Sequence, residues 1–390
     1  DRRFGNTQGF PQTTTATDTT VPTLDAGKLT SPANGSQLNP RGRGLYAVKL
    51  GEFSGGTFVP ATAPSKLWGF TVTNDAAMTF SFPGEVAALD LSHDGYVDRF
   101  YAADSGGQLW RVDAQSADSA QWTVKRIFQA NGGAGSEKGR KFLSRPSVTV
   151  ERNRQPMIFI GSGDREHPLN EAVVDRIYAV KDPADRPSSQ TAWDGVALVE
   201  AQLVDVTENV LQAETLPDTV KDALGVSTLD EAVNQTLQDL RNKDGWFIKL
   251  NLESRAGEKI LSPVLVFNKV AYFTTFTPEI LVNDDPCQTS NLGVARLYAV
   301  DYLTGEAVNN YDKTNDGQET ETNLRAKSSD GKVLRRSDRE RTLGGGIPSG
   351  VTVVVSETGE PRVLVGCDGG ICLEDALPGG RLHPLYWLQR

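Results

Sequence analysis

Cysteine and histidine are scarce in this chain, with three of each among 390 residues. Three cysteines are too few for the disulfide framework that holds small secreted domains together. The histidines, His93, His167 and His383, are scattered, so a zinc site needing four nitrogen or sulfur ligands has little to draw on. Cys367 and Cys372 bracket Asp-Gly-Gly-Ile, a turn that brings two thiols within bonding reach at a hairpin and leaves Cys287 alone. A structural disulfide and free thiols both fit that spacing. Positive charge is also in short supply. Forty Lys and Arg stand against fifty Asp and Glu, giving a net charge of −10 and a pI near 5.0. This argues against nucleic acid as a partner, because binding a phosphate backbone needs a basic face. No run of about 18 apolar residues occurs, so no membrane-spanning helix is expected.

The catalytic signatures are missing too. There is no Walker A sequence and no Gly-x-Ser-x-Gly. The stretch GSGD at 161–164 fails the dinucleotide-binding pattern, and GGGIPSG at 344–350 reads as a flexible approach to a strand.

What is present is a folded composition, 38% hydrophobic and 23% charged, long enough for one large all-β domain or two smaller ones. The first 40 residues are rich in Thr, Pro, Gly and Asn and read as an extended arm or linker. The opening DRRFGNTQGFPQTTT lacks the basic-then-apolar layout of a signal peptide and reads as a processed terminus or a piece of something longer.

From residue 41 to 390 the chain repeats itself. GLYAVKL, QLWRVDA, RIYAVKD, GWFIKLN and RLYAVDY share an aromatic, an apolar position two residues on, and a polar exit. Their aromatics, Tyr46, Trp110, Tyr178, Phe247 and Tyr298, are 64, 68, 69 and 51 residues apart. A four-stranded propeller blade takes roughly 40 to 50 residues before loop insertions. Between the anchors lie short β-branched and aromatic runs such as PSVTV, MIFIGSG and VTVVVSE, closed by Gly, Pro or Asn. YAVDYLTGEAV adds the Ala-x-Asp-x-x-Thr-Gly turn of quinoprotein-type blades. The expected fold is all-β, a modified quinoprotein-like β-propeller of about six or seven blades.

One segment, about 216–243, breaks the β pattern. Leu229, Val233, Leu237 and Leu240 recur at helical spacing, Thr228 and Glu231 form a capping-box signature, and Gly245 lies beyond the end. Two short helices are expected there, as a cover for apolar strand surface or, as the alternative, a binding device.

Two aspartate-rich stretches invite a metal. In LDLSHDGYVDRFY, Asp90, Ser92, Asp94, Tyr96 and Asp98 occupy positions 1, 3, 5, 7 and 9 of an EF-hand-like loop, with Gly95 at the sharp turn. Alternate residues point inward when such a loop curls round an ion, and Tyr96 offers only its main-chain carbonyl. Position 12 is Tyr101, so no bidentate Glu closes the shell. The pattern points to Ca2+; the plainer alternative is an aspartate-rich turn. A second candidate, Asp312, Thr314, Asp316, Gln318 and Thr320, begins correctly and ends poorly, with a solvated polar loop as its alternative. Magnesium is less apt than calcium at both places, since it demands stricter octahedral geometry.

GSGDREHPL, at 161–169, groups Asp164, Arg165, Glu166 and His167 after an apolar strand. Four adjacent ionisable residues cannot all face one pocket and no nucleophile accompanies them, so a charged loop is expected and no enzyme.

The blocks LDLSHDGYVDRFYAADSGGQLWRVD, FIGSGDREHPL, DRIYAV, GWFIKL with GEKILSPVLVFNKVAYFTTFTP, and RLYAVDYLTG, taken in order, resemble the C-terminal propeller of the PilC/PilY family of type IV pilus tip-associated adhesins, from about Arg43 onward. The resemblance implies an exported protein at the pilus tip, the outer membrane surface or in the periplasm. Its implied partners are pilins or minor pilins, the assembly machinery, and a host or abiotic surface receptor. It implies roles in assembly, adhesion and twitching, with calcium at Asp90, Ser92, Asp94, Tyr96 and Asp98 governing extension against retraction. Ser92 stands where the family has Asp or Asn, which weakens the expected affinity. Full-length relatives carry a variable N-terminal region, often a von Willebrand A-like domain, that is absent here, and the resemblance implies that adhesive specificity resides in that missing sequence. Two other readings compete: a quinone-dependent oxidoreductase, which would draw its calcium ligands from several blades, and a passive scaffold propeller.

Overall fold

The computed structural model describes residues 42–132, 138–150, 153–251, 255–278, 293–316, 332–355, 361–367 and 370–375. The expected N-terminal arm and Cys287 lie outside them. Contacts divide the chain into two compact units, Asp1–Pro146 with Gly195–Ala197, and Ser147–Asp194 with Leu198–Arg390.

The first unit opens with a long antiparallel ribbon, β1 (Gly44–Ser54) and β2 (Thr57–Thr71). Gly55 and Gly56, both at positive φ, make the reversal. Tyr46, Val48 and Leu50 alternate along one face of β1 and are exposed, and Phe53 packs on Phe58 across the turn with ring centroids 5.4 Å apart. An antiparallel meander follows: β3 (Ala87–Leu89), β4 (Arg99–Ala103), β5 (Gln108–Asp113) and β6 (Thr123–Gln129). This is the blade unit of a propeller. Its β4 and β5 are buried along almost their whole length, with Arg99, Gln108 and Arg111 buried among the apolar and aromatic residues. The turn between them is built round Asp104, fully buried, whose carboxylate accepts from the Gly106 amide (2.9 Å), the Gln108 amide (3.1 Å) and the Trp110 indole (2.8 Å). Burial pushes the Asp104 carboxyl up to about 7 against those donors and the Arg126 charge.

The second unit holds three sheets. The first contains β7 (Ser147–Val150), β8 (Pro156–Gly161), β9 (Arg176–Lys181), β10 (Val204–Asp205) and β11 (Gly245–Lys249), in the order β10-β11-β9-β8-β7. All neighbours are antiparallel except β10 and β11, which are parallel. The expected insertion is α1 (Asp218–Leu224) and α2 (Leu229–Asn242). Thr228 and Glu231 form the capping box in both directions. Val233 and Leu240 enter the core with Trp246, Phe159 and Phe273, while Leu229 and Leu237 pack at its margin. The next sheet has β12 (Lys259–Ile260), β13 (Leu265–Phe267), β14 (Val270–Thr277), β15 (Val294–Asp301) and β16 (Glu340–Gly345), running β12-β14-β15-β16 with β13 also on β14. The last is β17 (Thr352–Val355), β18 (Pro361–Cys367) and β19 (Gly370–Asp375), with a disulfide between Cys367 and Cys372 whose Cα atoms are 5.8 Å apart.

The described residues thus form five sheets with a small helical insertion, the all-β class expected, against an expected six or seven blades. The repeat anchors do not mark one sheet each. Tyr178 and Phe247 lie opposite one another on β9 and β11 of the same sheet, and Tyr46 is exposed on the ribbon. The shared pattern records how a buried strand exits to a turn, so it recurs on more than one strand of a sheet.

Polar groups are buried in a row across the second sheet of this unit. Glu258 accepts from the Thr275 hydroxyl (2.6 Å) and the Tyr298 hydroxyl (3.0 Å), and Arg255 pairs with Glu340 and approaches Glu258 to 4.0 Å. Burial, then the charge of Glu340, push the Glu258 carboxyl up to about 7, against the Thr275 hydrogen bond and the Arg296 and Arg255 charges.

Two outcomes are expected. Gly245 has φ +130°, and a Cβ there would lie 1.9 Å from the Ala179 carbonyl oxygen on β9. Gly245→Ala should therefore lower stability by at least about 2 kcal/mol in urea melts; an unshifted midpoint would refute this placement of β11. Glu258 is protonated in the folded state well above its unfolded pKa of 4.5. Its contribution is full below that value and is lost as pH rises through about 7. Glu258→Gln should flatten the fall of Tm between those limits, removing at most about 3 kcal/mol of pH dependence; identical profiles for variant and wild type would count against it.

Candidate metal centre

The loop joining β3 to β4 carries Asp90 to Asp98. Asp98 is anchored first: its amide donates to the Leu89 carbonyl (3.0 Å) and its carbonyl accepts from the Ala114 amide (2.8 Å). Its side chain is buried, and Oδ2 accepts from the amides of Leu91 (2.6 Å) and Ser92 (2.8 Å). Asp90 reaches across the loop, Oδ1 accepting from the His93 amide (2.6 Å) and Oδ2 from the Gly95 amide (2.9 Å). Asp94 Oδ1 accepts from the Tyr96 amide (2.9 Å), and the Ser92 hydroxyl donates to Asp90 Oδ1 at 3.4 Å. His93 (φ 60°) and Gly95 (φ 90°) supply the left-handed turns that curl the segment. Desolvation pushes the Asp90 carboxyl up, but donation from Gly95, His93, Asp94 and Ser92 outweighs it and holds the group below the usual carboxylate range.

The five residues therefore share one curled loop, with the Tyr96 ring exposed. Their ligand atoms are hard oxygens, the type calcium takes. Asp90, Asp94 and Asp98 are not drawn to within 4.8 Å of one another as a set, and the backbone amides already occupy an oxygen of each. The loop offers oxygen ligands of the type calcium takes on a curled backbone, with Asp94 exposed and its Oδ1 bound to the Tyr96 amide.

The second stretch is organised differently. Asp312 caps a 3-10 turn (Lys313–Asn315), Oδ1 accepting from the amide (3.1 Å) and hydroxyl of Thr314. Asp316 Oδ1 accepts from the Asn310 amide group at 3.0 Å. Gln318 and Thr320 lie outside the described residues.

Among the described residues, the carboxylate and imidazole atoms that do gather within 4.8 Å belong to Asp164, Glu166 and His167. Asp164 organises them: Oδ1 accepts from the Glu166 amide (3.0 Å) and Oδ2 lies 2.9 Å from His167 Nδ1. Arg165 turns the other way, donating to the Leu261 carbonyl at 3.2 Å. The expectation that four neighbours cannot face one pocket holds, yet three of them do converge. The signal in the sequence was an acid, an acid and a histidine at i, i+2 and i+3 directly after a buried strand. Lys259 stands nearby, its Nζ held by the carbonyls of Pro168 (2.8 Å), Asn170 (2.9 Å) and Gly257 (2.5 Å). Desolvation lowers its pKa, and the charges of Asp175, Asp164 and Glu171 oppose that shift.

No family model matches the chain. In sequence it is 24% identical over 251 residues to a type IV pilus biogenesis factor PilY1 homolog of Xylella fastidiosa, a match covering 60% of this chain and 15% of that protein. The chain thus spans about 15% of the length of the curated relative it matches. In structure it is similar to the C-terminal domain of Pseudomonas aeruginosa PilY1, with TM-score 0.49 and 15% identity over 82% of this chain and 65% of that one. A quinohemoprotein alcohol dehydrogenase from Comamonas testosteroni gives TM-score 0.32 and 13% identity over 77% and 35%. At these values neither structural likeness carries an argument about function. The sequence match agrees with the resemblance carried by the ordered blocks: over 251 residues this chain is similar to a PilY1 homolog, a type IV pilus biogenesis factor.

Proposed function

We propose that this chain is a calcium-binding, non-enzymatic part of a type IV pilus biogenesis factor, acting outside the cytoplasm in pilus assembly, extension and retraction, and surface adhesion. The observation that carries the reading is the sequence match to a pilus biogenesis factor. The disulfide between Cys367 and Cys372 supports an oxidising compartment, since such bonds are rare where thiols are kept reduced. The net negative charge supports protein partners and not nucleic acid.

Calcium would be held by Asp90, Ser92, Asp94 and Asp98 with the Tyr96 carbonyl. It would supply charge neutralisation and stiffness to a loop that otherwise relies on its own amides. Asp98 fixes the loop to the sheet, Asp90 sets its curvature, and exposed Asp94 is the group whose position changes most between ion-bound and ion-free forms. An edge surface next to β4 would then differ between those forms, which is what a pilin or assembly partner would sense. The segment 312–320 is a candidate for a second ion. The convergence of Asp164, Glu166 and His167 favours a second reading in which that loop takes the cation.

Calorimetric calcium titration of the wild-type chain beside Asp94→Ala, Asp316→Ala and Asp164→Asn separates these sites. One ion bound by wild type and lost only with Asp94→Ala is expected. Loss only with Asp164→Asn transfers the ion to the other loop, and no heat at millimolar calcium removes the metal from the proposal. In cells, Asp94→Ala should change pilus number or retraction; normal piliation with binding abolished would leave the ion a purely structural role.

A further inference from the structure

Arginines gather at one place in the second unit. Where the 3-10 turn Arg336–Arg339 meets β15 and β16, a half-open cavity of about 50 Å³ lies among Arg255, Tyr298, Arg336, Ser337, Arg339 and Glu340. That is room for a few water molecules or one small ion, and too little for an organic ligand.

The charges of the lining do not cancel. Glu340 pairs with Arg255, and Arg336 pairs with Glu208 at 2.9 Å. A guanidinium carries five N–H donors, so an ion pair engages only part of it. The Arg255 and Arg336 side chains are 22% and 31% exposed, so both remain within reach of an ion that enters the cavity.

Arg339 is the surplus. It is buried, and its Nη1 and Nη2 donate to the carbonyls of Thr207 (2.9 Å) and Val206 (2.8 Å). Among the described residues it has no carboxylate as an ion-pair partner. Desolvation pushes the Arg339 guanidinium down to about 9; Tyr298, Glu306 and Asp205 oppose that shift and the Arg336 charge adds to it. It is still a cation at neutral pH. Glu258, which accepts from Tyr298 on the cavity wall, has its own carboxyl pushed up to about 7 and supplies at most part of the missing charge. Three guanidinia thus stand against the carboxylates of Glu340 and Glu208, and the one left over is the most deeply buried. A buried charge without a counter-charge is costly, and native proteins pair such groups.

We infer that this cavity binds one small monovalent anion such as chloride, held by the Arg255 and Arg336 guanidinia and the Ser337 hydroxyl and serving as the counter-charge of Arg339. The site does not depend on the pilus reading or on calcium. A single negative charge balances the surplus without breaking either ion pair, whereas a divalent anion would overshoot it and be repelled by Glu340. The bound ion ties the 3-10 turn to β15 and β16.

The test follows the chloride NMR line width of the whole chain in chelator, with ionic strength held constant by sodium gluconate. Saturable broadening is expected, reversed by bromide and not by bulky gluconate. Arg336→Gln should weaken binding about tenfold, the loss of one charge-assisted hydrogen bond. Arg339→Gln removes the surplus charge and should abolish binding. Arg335→Gln makes the same change of net charge at a guanidinium paired with Glu214 outside the lining, and should leave binding as in wild type. In bromide-soaked crystals, anomalous scattering should place a bromide between Arg255 and Arg336. Arg336 is partly exposed and its variant keeps the fold, so the comparison with Arg335→Gln decides even where Arg339→Gln does not fold. The inference is overturned by absence of saturable broadening, by binding undiminished in Arg336→Gln, by an equal loss in Arg335→Gln, or by a cavity that holds only water in the bromide crystals.

Discussion

Carboxylates buried between strands constrain this molecule more than any other feature. A chain with fifty acidic residues keeps several of them out of water, and each needs donors that the neighbouring backbone must bring to it. Asp104 is met by two amides and an indole, Asp175 by the Ser162 hydroxyl at 2.7 Å, and Asp338 by the amides of Asp312 (2.9 Å) and Arg335 (2.8 Å). Each donor set lies at a turn or strand exit, so the conformation of the connection and the ionisation of the acid depend on each other. That coupling explains why the turns between strands are so rich in Asp, Gly and Ser.

The same chemistry operates on the surface with the opposite outcome. In the loop from Asp90 to Asp98 the carboxylates also collect amides, but only Asp98 is buried, and at Asp90 the donated hydrogen bonds hold the carboxyl below its usual range. An ion bound here would compete with those amides for the same carboxylate oxygens. The contrast with Asp104 is one of depth: donated hydrogen bonds lower the carboxyl at both Asp90 and Asp104, and only at fully buried Asp104 does desolvation outweigh them.

Much of this was legible in the residues. The capping box at Thr228 and Glu231, the helical spacing of Val233 and Leu240, and the hairpin that joins Cys367 to Cys372 are local patterns, and local patterns survive folding. The calcium-type loop was legible as a curled segment because Asp and Gly impose the curl themselves. The repeat was misleading as a counter of sheets, because Tyr178 and Phe247 satisfy the same rule on paired strands. Which of the four adjacent ionisable residues converge was not legible, because Asp164 gathers Glu166 and His167 locally while Arg165 donates to the carbonyl of Leu261, 96 residues away. The surplus charge of Arg339 could not be read at all, since it follows from where the carbonyls of Val206 and Thr207 land.

The parallel pairing of β10 with β11 has a consequence for the helices between them. Two strands that run in the same direction cannot be joined by a tight turn; the chain has to travel back to the end from which it started. The segment from Val206 to Asp244 is that return path, and α1 and α2 are the form it takes. They cannot be trimmed away as decoration, because a shortened connection would force β10 to pair the other way or leave the sheet.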